Sequence, residues 1–131
     1  MEQNVKILFY GNDNEIQSVG ELFRKSEALS GSMQHHYSVD DAEEFERVLI
    51  DWEPTLIVIL FHGAKGREGA YRARERRPCL PVFWFSDDRD FGMQSYRLNC
   101  AYFSTKPITL EKINSAIQRC RHVGIQVGVS Q

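Results

Sequence analysis

The chain has 131 residues, 42% of them hydrophobic and 26% charged, which suits one globular domain with a proper core and is too short for two. A net charge of −2 excludes bulk electrostatic attraction as a basis for binding nucleic acid or a membrane surface. The amino-terminal MEQNVKILFY lacks the basic region and long apolar run of a signal peptide, and no stretch approaches a membrane span. A cytoplasmic location is therefore expected. Cys79, Cys100 and Cys120 are widely spaced without a CxxC pair, so they are expected to be buried or half-buried thiols, not a zinc site or a redox motif.

Short apolar runs alternate with segments of helical period. Val5–Tyr10 is the first predicted strand, followed by a helix whose stripe is Ile16, Val19, Leu22 and Phe23, with Asp13 or Asn14 as its N-cap. A more polar strand over Gln34–Val39 suits a sheet edge. Phe45, Val48 and Leu49 mark the second helix, with Asp40, Asp41, Glu43 and Glu44 crowding its start, where the helix dipole favours negative charge. Leu56–Phe61 has no polar residue on either face, is too short for a buried helix and is rich in β-branched residues. It reads as a central strand covered on both sides. Residues 66–76 and 88–98 have weak periodicity and are assigned as helices because the alternation requires them. Val82–Phe85 and Ala101–Phe103 are the fourth and fifth strands. Thr109 caps a last helix carrying Leu110, Ile113, Ala116, Ile117 and Cys120. The residues after Arg121 have no pattern and are expected to be frayed or extended. Five strand–helix alternations predict an α/β fold, a doubly wound parallel sheet of flavodoxin-like (βα)5 type with strand order 2-1-3-4-5.

In such a sheet, chemistry gathers at the carboxyl ends of the central strands. Those ends carry Gly11-Asn12-Asp13, Leu60-Phe61-His62, Ser86 and Thr105-Lys106-Pro107. The order resembles the receiver domain of two-component response regulators (CheY-like domains), from about Val5 to Cys120. The resemblance is most specific at Ala101-Tyr102-Phe103-Ser104-Thr105-Lys106-Pro107, similar to the family's last strand with its aromatic residue, switch lysine and cis proline. It implies that Ser86, Phe103, Lys106 and Pro107 are retained switch positions. It also implies a receiver-like domain over 1–121 and a tail over 122–131.

The same resemblance puts the phospho-accepting aspartate of the family at Leu60 and its acidic pair at Gly11, Asn12 and Asp13. An aspartyl phosphate needs a carboxylate nucleophile, and its Mg²⁺ needs hard oxygen ligands. Leu60 offers neither, so the domain is expected to be a pseudo-receiver without catalytic residues, metal or cofactor. Lys106 is expected to turn toward solvent or Asp13. His35, His36 and His62 are expected to be surface or supporting residues. The basic run Arg67, Arg72, Arg74, Arg76 and Arg77 reads first as a solvated helix face and second as a docking patch, with Arg72 and Arg76 facing the acidic 40–46 segment of another copy. By resemblance, Met93, Tyr96 and Ile117 join the candidate interface. The expected function is a phosphorylation-independent interaction or dimerisation module in signal transduction, including service as the regulatory domain of a transcription regulator. The partner would be a protein or a second copy, with no membrane contact and no direct nucleic-acid binding by this chain. The competing reading is a small-molecule or anion sensor using the crevice near Gly11, Ser86 and Lys106. The templates for nucleophilic, P-loop and dinucleotide sites are absent from the sequence.

Overall fold

The computed structural model describes residues 3–130. In chain order the elements are β1 (Gln3–Tyr10), α1 (Asp13–Lys25), β2 (Ser32–Val39), α2 (Ala42–Asp51), β3 (Leu56–Ile59), α3 (Gly63–Arg76), β4 (Val82–Ser86), α4 (Gly92–Arg97), β5 (Tyr102–Thr105), α5 (Leu110–His122) and β6 (Val129–Ser130). The parallel strands run in the order β2-β1-β3-β4-β5, as expected, and each pairs with its neighbour in parallel.

Alternation along the strands sorts the core into two layers. Val5, Ile7, Phe9, Leu56, Val58, Leu60, Phe83 and Phe85 pack against α1 and α5. Leu8, Tyr10, Ile57, Ile59, Val82 and Trp84 pack against α2 and α3. All four residues of β3 are fully buried, which is why its sequence carries no polar face.

Helix α3 closes on the sheet through small residues. A Cβ on Gly66 would lie 2.0 Å from the Phe61 carbonyl oxygen and 2.7 Å from Trp84 Nε1, and one on Gly69 would lie 2.8 Å from the Tyr10 ring. The aromatic volume on this face comes from the sheet, and the helix supplies the space. That division explains the weak periodicity of residues 66–76. Residues 88–98 are likewise more broken than one helix, being a 3-10 turn at Arg89–Phe91 followed by the six-residue α4.

Several local expectations are corrected. The N-cap of α1 is Asn12, whose side chain accepts from Glu15 N at 3.3 Å, not Asp13 or Asn14. Cys79 is exposed, because it lies in the loop before β4 and not in an apolar element; Cys100 is half-buried and Cys120 buried. The tail is neither frayed nor merely extended. Gly124 turns the chain at a φ of 82°, Val127 is buried, and β6 pairs antiparallel with Gln3 and Asn4 of β1. The Thr55 hydroxyl donates to the Val127 carbonyl at 2.9 Å and anchors that return.

Candidate functional site at the strand ends

The loops after β1, β3, β4 and β5 converge at the carboxyl edge of the sheet. Leu60 sits there, directly after β3, with its amide donating to the Tyr10 carbonyl at 2.8 Å. Its side chain is 1% exposed and belongs to the core layer under α1 and α5. Gly11 faces it so closely that a Cβ on Gly11 would lie 2.7 Å from Leu60 Cβ. Gly11 and Leu60 thus fill each other's space, and no carboxylate points into the floor of the site. Asn12 is occupied in capping α1, and Asp13 lies in the first turn of that helix, on the wall that faces β2.

Lys106 is half-withdrawn from solvent, its side chain 14% exposed. Its ammonium donates to Glu15 Oε1 at 2.8 Å and to the Leu60 carbonyl at 2.6 Å. The partner is therefore Glu15, not Asp13 or bulk water. Asp13 and Glu15 lie two residues apart on the first turn of α1, so they project in different directions, and Glu15 is the one aimed across the strand ends. Sequence reading missed this residue. The string Asn12-Asp13-Asn14-Glu15 has the spacing of a capping box, which would have moved the helix start to Asn12 and brought Glu15 to the mouth of the site.

The other positions that the resemblance marked as switch residues are held by packing. Ser86 is fully buried, and its Oγ accepts from Asp88 N at 3.2 Å. Phe103 turns inward, edge-on to Trp84 with ring centroids 5.5 Å apart. The Lys106–Pro107 bond is cis, as the resemblance implied.

An open cleft of about 490 Å³ remains above Leu60, bordered by Asn14, Glu15, Phe61, His62, Asp87 and Lys106. His62 Nδ1 and Asp87 Oδ2 approach to 3.2 Å across its rim, both well exposed. Ser86 does not line the cleft. Phe61 does, with Tyr10 edge-on at 4.8 Å and the Lys65 ammonium 4.0 Å over its ring. Among the described residues no group of three or more His, Cys, Asp or Glu side chains could hold a metal ion.

One of the expected interface residues is also corrected. Ile117 is fully buried under the sheet and cannot meet a partner. Arg72 and Arg76 reach Glu46, the last residue of the acidic 40–46 segment, within their own chain at 3.1 and 3.4 Å. Met93 and Tyr96, in contrast, are 63% and 82% exposed on α4. No described helix is long and apolar enough to cross a membrane.

No family model and no curated protein matches the chain. Solved structures do. The response regulatory domain of protein mrkE from Klebsiella pneumoniae aligns with a TM-score of 0.74 at 13% identity, covering 91% of this chain and 97% of that one. A response regulator receiver domain protein from Clostridium thermocellum aligns at 0.72 and 13%, over 91% and 95%. The signal receiver domain of a modulated diguanylate cyclase from Desulfovibrio desulfuricans G20 aligns at 0.65 and 22%, over 94% and 96%. At these identities the likeness is one of fold, and the chain has the receiver-domain fold.

Proposed function

We propose that this receiver-fold chain is a signal-transduction module that acts through protein contact and accepts no phosphoryl group at its strand ends. The observation carrying the proposal is the mutual filling of space by Gly11 and Leu60 beneath an ammonium already paired with Glu15. A phosphoryl acceptor needs a carboxylate oxygen at the floor of such a site, and a Mg²⁺ ion needs two or three hard oxygens converging beside it. Leu60, its side chain packed into the core, offers no side-chain oxygen. Glu15 supplies one carboxylate, and that carboxylate neutralises Lys106.

The sensor reading of the same crevice draws less support. Its two expected anion donors were Lys106 and Ser86; the first is matched by an internal carboxylate, and the second is buried away from the cleft. A two-position switch through Phe103 would also need a ligand that binds one packing better than the other. The exposed Met93 and Tyr96 support a contact role for α4.

The test is a pair of amide ¹H–¹⁵N spectra of the purified chain, recorded with and without Mg²⁺ and beryllofluoride. The proposal expects superimposable spectra. Saturable shifts clustered at Gly11, Leu60, Ser86 and Lys106 would overturn it.

A further inference from the structure

The sheet leaves one long edge open. β2 pairs with β1 along all eight of its residues and has no neighbour on its other side among the described residues. β6 does not cover it, since it pairs with β1 at Gln3 and Asn4. The opposite edge, β5, is only four residues long. Exposed edges are usually blunted by lysine, proline, a bulge or an inward charge. Ser32-Met33-Gln34-His35-His36-Tyr37-Ser38-Val39 contains no Lys, Arg, Asp, Glu, Pro or Gly and runs in unbroken register with β1.

Beside this edge lies a groove of about 530 Å³ between α1 and β2, lined by Asp13, Gln17, Gly20, Arg24, His36 and Ser38. Gly20 is what opens it, because a Cβ there would lie 3.3 Å from His36 Nδ1. A free strand edge flanked by a helix and a groove is the geometry that accepts an added strand, with alternate side chains falling into the groove.

The charges along the groove say which strand. Asp13 begins the helical wall and Arg24 ends it, and neither forms an ion pair within the described chain. We propose that β2 pairs antiparallel with β2 of a second copy about a two-fold axis near His36, joining the two sheets and setting Asp13 of each α1 against Arg24 of its partner. Same-face pairing then opposes Gln34 to Ser38, His35 to Tyr37, and His36 to itself. The midpoint of Asp13 and Arg24 along α1 falls about 2 Å from Gly20, at 1.5 Å of rise per residue, so the helix and the strand call for nearly the same axis. Glu21, on the same wall, comes opposite the uncharged Ile16 and Gln17 of the partner. Burial keeps His36 neutral, so its self-pairing brings no like charges together.

This inference assigns a second copy and a surface apart from α4 to the protein-contact role proposed above, and rests on that reading. It is tested separately by sedimentation equilibrium of the whole chain and two charge reversals at exposed helix positions, D13R and R24E, with circular dichroism to verify that each variant folds. The wild type is expected to form a dimer. Each variant alone should dimerise about tenfold more weakly, since each places like charges opposite each other twice. Mixing D13R with R24E should restore dimer, because arginine at 13 then meets glutamate at 24. A wild type that stays monomeric, a dimer indifferent to both reversals, or a mixture that fails to recover would overturn the inference. None of these outcomes bears on phosphoryl acceptance, which the beryllofluoride spectra decide.

Discussion

Replacing Gly11 with alanine tests the packing that closes the site. The new Cβ would start 2.7 Å from Leu60 Cβ and 3.4 Å from Leu60 Cγ and Cδ1. Ordinary contact would require the two chains to separate by about 0.8 Å, since carbon atoms rest near 3.5 Å. Rotation of Leu60 cannot relieve the clash, because a Cβ is fixed by its backbone. Both backbones are pinned by sheet bonds, Gly11 N to the Val39 carbonyl at 3.1 Å and Leu60 N to the Tyr10 carbonyl at 2.8 Å. Overpacking of this kind costs about 2 kcal/mol, and restriction of the unfolded chain by the added methyl group returns about 0.5 kcal/mol. Gly11 is not at positive φ, so backbone strain adds nothing. Urea denaturation should therefore show Gly11→Ala less stable by about 1.5 kcal/mol. The same loss should persist in a Leu60→Ala background, which keeps the Cβ, and vanish in a Leu60→Gly background, which removes it. Equal losses in all three backgrounds, or no loss in the first, would refute the proposed contact.

Other expectations follow from particular contacts. Gly66→Ala, meeting the Phe61 carbonyl and Trp84, should cost about 3 kcal/mol by denaturation, more than Gly11→Ala, because backbone stands in its way. Truncation after His122 removes β6, buried Val127 and the shorter of the two carbonyl acceptors of the Thr55 hydroxyl, so it should lower stability by about 2–4 kcal/mol; an unchanged melting curve would show the return of the tail to be unimportant. Burial, with help from the charges of Arg24 and His35, lowers the pKa of His36 from 6.5 to about 4. The unfolded chain therefore takes up this proton first as the pH falls, so stability should decline between pH 6.5 and 4 and the His36 contribution should level off below that. His36→Gln should lose about 1–3 kcal/mol less across the window, as measured by urea titration at each pH. A double-mutant cycle of Glu15→Gln and Lys106→Met should give a coupling of about 1 kcal/mol, and a zero coupling would remove Glu15 as the counter-ion.

Much of the fold was legible because its signals were apolar and local. Leu56–Phe61 announced a doubly covered strand, of which Leu56–Ile59 form β3, and Thr109 announced the start of α5, where its side chain accepts from Lys112 N at 3.2 Å. The strand order followed from the alternation. What was not legible lay in groups whose partners are distant in sequence. Helix α3 hides its buried face in Gly66, Gly69, Ala70 and Ala73, which score weakly on any apolar pattern, because Tyr10 and Trp84 fill the layer from below. Glu15 went unremarked in the sequence, and only the fold brings Lys106, 91 residues later, against it. Ile117 was placed on a contact face by resemblance, whereas its own helical stripe with Ile113, Ala116 and Cys120 had already put it in the core. The tail gave no periodic signal because one buried valine and a two-residue strand suffice to seat it.

The central claim concerns chemistry at the strand ends, and the most direct test is intact-mass spectrometry of the purified chain after incubation with acetyl phosphate and Mg²⁺. With Leu60 as the floor and Lys106 bound to Glu15, the mass should stay that of the unmodified chain at every time point. A Mg²⁺-dependent phosphoryl adduct, removed by hydroxylamine and mapped to a carboxylate at this end of the sheet, would contradict the account.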